Sequence, residues 1–439
     1  MDPLTLGLIS CVVLMILILS GFHIAVALSF TSFATLFLLS GRLSVAAKML
    51  ETTAYSAIMD YVFAVIPLFV LMGLLTTASG ATGELFQVAE KMTRKLPGGV
   101  GVSTVLANMI FAAITGVSVA SAAVFSKVAV PEMVRLNYDR KFSLGIVASS
   151  ALLGMLIPPS VLMIIYGILT EQSIGRLFAA GIGPGLLLSL ALCVMIVVKV
   201  MLRPETGGRG AAFKPLGDDA PKVSLLRPWP IYILIAVILG GIYGGIMTPT
   251  EAGAVGAAGG LALLFARGKK PGRAFLNVIL DTGAATASIF ALLIAAQMYS
   301  RMLTLTGLPA AATDWVAALP VAPIVIVLLL VVILLLLGML LDSVSILLLT
   351  MPIVHPVILH LGYDPIWFGI VAIFAIEIGL LSPPFGMVIF AMKAALPDDV
   401  SIGEIYRGTA PFILLLFGVL ALLIAVPGIT LWLPAYLYN

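Results

Sequence analysis

The chain alternates long apolar runs with short polar interruptions, and the runs carry no period-two pattern. That rhythm excludes a β-barrel and favours helices. Single runs reach about 20 residues, enough to cross a hydrocarbon core of about 30 Å as helix. Spans are predicted at roughly 4–20, 22–40, 61–80, 142–170, 176–202, 229–247, 249–265, 280–306, 366–396 and 409–433. Two longer paired segments cover 99–134 and 321–358.

Composition agrees with this pattern. Of 439 residues, 62% are hydrophobic and 10% charged, against about a quarter charged in soluble domains. A polytopic, all-α membrane protein is expected. The net charge of +3 sits in loops, where it bears on topology rather than on nucleic acid. Cys11 and Cys193 lie within apolar runs, so neither a disulfide framework nor a metal site is expected of them. The N-terminus lacks the basic start of a cleaved signal peptide and reads as a retained span.

Charge then assigns sides. Arg203, Arg209, Lys214, Lys222 and Arg227 mark 203–228 as cytoplasmic, and two spans later Arg267, Lys269, Lys270 and Arg273 mark the same face. Counting back puts Arg135, Arg140 and Lys141 inside as well. Lys91, Arg94 and Lys95 are equally basic, so the segment between must enter and return without crossing. It reads as a re-entrant hairpin bending within 113–121. Counting forward, 305–320 and 360–367 contain no Lys or Arg and belong outside. Residues 321–358 then form a second hairpin, bending within 337–345 and entering from the opposite face. Both termini fall on the periplasmic side.

The two halves share one ordered series of marks. The first has "TGVSVAS" (115–121), Pro131, Tyr138–Asp139, "GIV" (145–147), "GMLIPPS" (154–160), "SIG" (173–175) and Pro184. The second has "LGMLLDS" (337–343), Pro352, Tyr363–Asp364, "GIV" (369–371), "GLLSPPF" (379–385), "SIG" (401–403) and Pro411. Offsets run from 221 (Pro131 to Pro352) to 228 (Ser173 to Ser401). An odd number of crossings separates the copies, so the repeat is inverted. Paired Gly/Pro-interrupted helices in matching halves point to the binding site of a secondary transporter. Freed carbonyls and helix C-termini suit Na⁺, and helix N-termini suit a substrate carboxylate.

At these residues the chain resembles a known family. "IPLFVLMGLL" (66–75), "LPGGVGVSTVLA" (96–107), "SAAVFSKVAVPEM" (121–133), "GGIYGGIMTPTEAGAVGA" (240–257), "GMLLDSVSILLLTMPI" (338–353) and "EIGLLSPPFG" (377–386) carry the likeness. They resemble the large, DctM-like membrane subunit of TRAP (tripartite ATP-independent periplasmic) transporters. The resemblance implies Na⁺-driven uptake of an organic anion across the bacterial inner membrane. It also implies a small DctQ-like membrane subunit and a periplasmic DctP-like binding protein as partners. The implied fold is an inverted-repeat elevator with two re-entrant hairpins and two discontinuous helices. Interfacial arm helices would link its parts, and the amphipathic stretches 43–58 and 84–95 fit that role. The division expected is 1–95 scaffold with an arm, 96–175 first transport repeat, and 176–280 scaffold with the 203–228 loop. Then follow 281–320 scaffold span and linker, 321–408 second transport repeat, and 409–439 C-terminal span.

The chain departs from the family at His23, where proline is usual, at Thr115 and Val117, where Ser-Gly-Ser is common, and at Ser382, where threonine is usual. The family pattern assigns a first Na⁺ site to Thr115, Gly116, Val117, Ser118, Gly154, Ile157 and Pro159. A second falls to Gly338, Asp342, Gly379, Ser382 and Pro384. Most would act through backbone oxygens, which suit a hard cation. Asp342 is read as functional, as the N-cap of the returning helix, or as both at once. Glu377 either biases the second site or pairs with a scaffold Arg or Lys. Lys127 either snorkels to water or holds an anionic substrate. Arg301 is read as snorkelling, and His23, His355 and His360 as structural. Ser121, Ser149, Ser150, Ser160, Ser343 and Ser345 are candidates to line the substrate cavity, although serine is also common in close-packed membrane helices. No P-loop, zinc-helix motif or nucleophile arrangement argues for an enzyme, and nothing resembles a channel filter. The nearest rival is a self-sufficient Na⁺/dicarboxylate symporter or an antiporter of similar architecture.

Overall fold

Helix boundaries in this chain follow its caps and prolines. The computed structural model describes residues 2–59, 61–93, 95–207, 228–268 and 272–438. Arg94, Arg209, Lys214, Lys222, Arg227, Lys269 and Lys270 therefore lie outside the described residues. The first half contains α1 (Pro3–Leu19), α2 (Ile24–Ser40), α3 (Leu43–Met59), α4 (Val65–Ala78), α5 (Ala81–Thr93), α6 (Gly99–Thr115), α7 (Ser118–Arg135), α8 (Arg140–Ala151), α9 (Leu153–Leu156), α10 (Val161–Thr170) and α11 (Ile174–Leu202). The second contains α12 (Trp229–Tyr243), α13 (Pro249–Ala266), α14 (Arg273–Thr306), α15 (Leu308–Ala317), α16 (Pro323–Gly338), α17 (Ser343–His360), α18 (Pro365–Gly379), α19 (Met387–Ala395), α20 (Ile402–Ala425) and α21 (Gly428–Tyr438). Among the described residues, six helical stretches are long and apolar enough to cross a membrane, seven if the bent pair α8–α9 and α10 counts as one span. Six further apolar helices are shorter. The protein is a multi-pass, all-α membrane protein.

The repeated marks are largely helix punctuation. Asp139 accepts the Phe142 N–H at 2.8 Å to start α8, and Asp364 accepts the Ile366 N–H at 2.7 Å to start α18. Ser173 and Ser401 cap α11 and α20 through the N–H groups of Arg176 and Glu404. Such caps satisfy N–H groups that the helix itself leaves orphaned. Both double prolines stand in breaks, Pro158–Pro159 between α9 and α10 and Pro383–Pro384 between α18 and α19.

The halves interlock rather than sit side by side. Helix α10 of the first half packs on α17 of the second, and α19 of the second packs on α7 of the first. Tyr166 threads this seam: its hydroxyl donates to the Pro365 carbonyl at 2.6 Å, and its ring lies where a side chain on Gly369 would be. Around this group stand α1–α4 and α12–α15, with α4 packed on α13 and α14. Two arginines pin the amphipathic helices. Arg301 is exposed and reaches from α14 to Thr53 (3.0 Å) and Ser56 (3.2 Å) of α3, while Arg267 pairs with Glu84 of α5 at 2.5 Å.

Helix α11 has 29 residues and so spans about 43 Å. The first "YD" turn bonds beyond its C-terminal end, Asp139 N–H to Thr206 carbonyl at 3.1 Å. The second meets Tyr166 of α10, which leads into the N-terminal end of α11. The two turns thus lie at opposite ends of one long helix, as an inverted repeat requires.

Three boundaries differ from expectation. The single span expected at 409–433 starts instead at Ile402, where Ser401 caps it, and stops at Ala425. Pro427 has no N–H to continue the helix, and Val426 before it leaves the helical region (φ −128°, ψ 76°). The span expected at 280–306 begins already at Arg273, and the linker after it contains α15, which Gly307 sets off with a φ of 73°.

A close crossing joins α8 to α20, where Gly145 lies against the Gly408 carbonyl and Phe142 stacks on Phe412 with centroids 5.9 Å apart. Gly145→Leu is expected to cost about 1–3 kcal/mol and lower the apparent unfolding temperature of the purified protein by a few degrees. Gly403→Ala on the same α20, with nothing within 4 Å of its new methyl, is the control that stays put.

Candidate functional site

Two residues, Gly116 and Val117, separate α6 from α7. Gly116 takes a φ of 62°, in the left-handed region where a side chain is strained, and its N–H closes α6 on the Ala112 carbonyl. Its own carbonyl accepts the N–H of Val161, the first residue of α10, at 3.2 Å. The bend is therefore seated on the first break. A Cβ on Gly116 would stand 2.5 Å from the Pro159 oxygen, and one on Gly154 would stand 2.9 Å from the Val117 carbonyl carbon. Residues 151–160 are all buried, yet the carbonyls of Ile157, Pro158 and Pro159 accept no hydrogen bond among the described residues. Buried carbonyls are costly to leave bare, and a cluster of them is a ready oxygen cage for a hard cation. The Thr115 hydroxyl is turned back onto the Phe111 carbonyl at 3.1 Å. Val117 precedes α7 in extended conformation and offers no side-chain cap.

The second junction has the same plan with a different finish. Gly338 ends α16 against Gly379 at the end of α18: a Cβ on Gly338 would lie 2.9 Å from the Gly379 Cα. Asp342 caps α17, accepting the Ser345 N–H at 3.0 Å and the Ser345 hydroxyl as well. Its capping role is the one realised here, and it also occupies Ser345. The Ser382 hydroxyl donates to Ile378 at 2.9 Å. The Pro384 and Phe385 carbonyls accept the Tyr406 hydroxyl at 3.4 and 2.8 Å, whereas those of Leu381 and Pro383 have no partner among the described residues. Pro383, Pro384 and Phe385 are exposed, so this break is open where the first is sealed.

Each predicted hairpin bend thus meets the predicted break of its own half. The predicted substrate-lining serines have mixed fates. Ser149 donates to Gly145 (2.7 Å), Ser150 accepts from Asn108 (3.0 Å) and Ser160 caps α10, while Ser121 is buried with no partner for its hydroxyl. Ser343 donates to Glu377 at 2.8 Å. Lys127 is exposed on α7. Glu377 forms no ion pair with an Arg or Lys among the described residues, so the expected scaffold partner is not there.

Sequence reading passed over several groups. Asn108 is buried with its Oδ1 unpartnered, a signal that a lone Asn in an apolar run did offer. Tyr406 and the Leu381 and Pro383 carbonyls had none. A cleft of about 430 Å³ between α14–α15 and α17 is lined by Ser300, Thr304, Thr313 and His355.

A family model described as "Tripartite ATP-independent periplasmic transporter, DctM component" matches residues 11–429. The C4-dicarboxylate TRAP transporter large permease protein DctM of Pseudomonas aeruginosa is 33% identical over 90% of each chain. The sialic acid TRAP transporter large permease protein SiaM of Vibrio cholerae is 31% identical over 95% of this chain and 96% of that one. The ectoine TRAP transporter large permease protein TeaC of Halomonas elongata is 30% identical over the same shares, 95% and 96%. Among solved structures, the Alcanivorax borkumensis YdaH transporter has a similar fold, with TM-score 0.61, 16% identity and coverage of 99% of this chain and 100% of that one.

Gly116→Ala combines left-handed strain with a collision at Pro159. It is expected to cost about 2 kcal/mol or more and cut transport by the assembled system about ten-fold or more. Gly80→Ala imposes a similar strain (φ +80°) with nothing within 4 Å, and is expected to retain most activity.

Proposed function

This chain belongs to the DctM-component family of tripartite ATP-independent periplasmic transporters, and we propose that it is the Na⁺-coupled carrier of an organic anion delivered by a periplasmic binding protein. It is a transporter component and not an enzyme. The observation that carries the coupling is the seating of each bend on its own break, Gly116 on Pro159 and Gly338 on Gly379. Bare carbonyls at these junctions would hold one Na⁺ each, and the N-termini of the half-helices would face the substrate carboxylate. Relatives named for C4-dicarboxylates, sialic acid and ectoine support a small carboxylate-bearing substrate for this chain too.

The mechanism proposed is an elevator. The interlocked group holding both hairpins and both breaks slides against α4 and α13–α15, which stay fixed with a DctQ-like small subunit. The arms α3 and α5, pinned by Arg301 and Arg267, act as the links. In this reading the hairpins are re-entrant, the protein sits in the bacterial inner membrane, and both termini are periplasmic. The Arg176 to Tyr438 bond (3.1 Å) supports the last point for the C-terminal end alone, since it holds that end beside the start of α11.

Uptake into proteoliposomes containing this chain, its small subunit and its binding protein, assayed with a panel of carboxylates, tests the reading. An inward Na⁺ gradient is expected to accelerate uptake, and omission of the binding protein to abolish it. Equal uptake with K⁺ replacing Na⁺ would remove the coupling. Uptake without the binding protein would favour a self-sufficient symporter.

A further inference from the structure

Glu377 is 0% exposed on α18, among neighbours that supply no Lys, Arg or His ion pair among the described residues. Its Oε1 accepts the Ser343 hydroxyl at 2.8 Å, and its Oε2 has no hydrogen-bond partner. Ser118 stands close enough to interact with the same carboxyl, but its hydroxyl is buried and makes no hydrogen bond of good geometry. Ser121, on the next turn of α7, is also buried with its hydroxyl unpartnered. Ser118 is the first residue of α7 and Ser343 the first residue of α17. The returning arms of both hairpins therefore each present a serine to one carboxyl.

Holding a buried carboxylate without a counter-charge is costly, and the charge is met either by a proton or by a cation. Each unpartnered hydroxyl beside it adds a desolvation penalty. Both costs disappear together if one cation sits among these oxygens. The donor set is oxygen only, which selects a hard ion, and its single carboxylate balances one positive charge rather than two. We propose that Glu377, Ser118 and Ser343 form a further Na⁺ site, centred on a carboxyl rather than on bare carbonyls, adjoining the first junction through Ser118 and shared by both hairpins. This rests on the Na⁺-coupled reading above and adds to it. An ion held here loses a ligand whenever either hairpin tip moves away, so it locks both tips into one unit until it leaves. The carbonyl junctions each involve one hairpin, and this site alone joins the two.

The test counts radiolabelled Na⁺ bound per chain at saturation in the purified complex with its small subunit. Wild type is compared with Glu377→Gln, which keeps the shape and the Ser343 hydrogen bond but removes the charge. One ion fewer in Glu377→Gln is the expected result. An unchanged count and affinity, as a protonated Glu377 would give, overturns the site while leaving the carbonyl junctions intact. A wild type that binds no Na⁺ defeats the coupled reading itself. Ser343→Ala keeps the carboxyl, belongs to neither carbonyl junction and guards against a Gln variant that fails to assemble. It is expected to raise the Na⁺ concentration for half-saturation of that ion about ten-fold, and an unshifted curve also overturns the proposal.

Discussion

A helix broken inside a bilayer leaves main-chain carbonyls with no water to meet, and this constraint organises the rest of the chain. The break at 157–160 is buried, so the only polar surface available to it is another part of the protein or an ion. The α6–α7 bend supplies the first of these through the Gly116 carbonyl and the Val161 N–H. Only glycine at 116 and 154 lets the two backbones come this close. The remaining bare carbonyls of Ile157, Pro158 and Pro159 are what an ion would complete. Packing elsewhere keeps this junction in register: Gly145 against Gly408, Tyr166 against Gly369, and Gly73 of α4 facing the end of α6 at Thr115.

The two junctions share a plan and differ in finish. At the second, the glycine contact lies between helix ends Gly338 and Gly379, and Pro383–Phe385 face outward with Tyr406 holding two of the carbonyls. One junction is sealed and the other open in the same molecule. Glu377 on α18 accepts the hydroxyl of Ser343, the first residue of α17.

Much of this was legible in the sequence because its signals are local. Double prolines must break a helix, Asp139 and Asp364 make good caps, and glycine marks the α6–α7 bend, so the two bends and the two breaks were readable in one dimension. Asp342 could be read as cap, as ligand or as both, since one carboxylate can serve each; its bonds to Ser345 show the cap. What stayed hidden depends on distance in space. Tyr406 reaches back to Phe385 from another helix, and the convergence of Ser118, Ser343 and Glu377 joins residues far apart in the chain. The C-terminal span was misread because 409–433 is apolar on both sides of Pro427, and hydropathy does not register a missing N–H.

The most direct measurement is a density map of the purified complex, recorded once in NaCl and once in choline chloride. The account predicts a peak at the first junction, within coordinating reach of the Ile157 and Pro159 carbonyls, that is present with Na⁺ and lost with choline. No peak in either salt, with Gly116 still seated on Pro159, would contradict it.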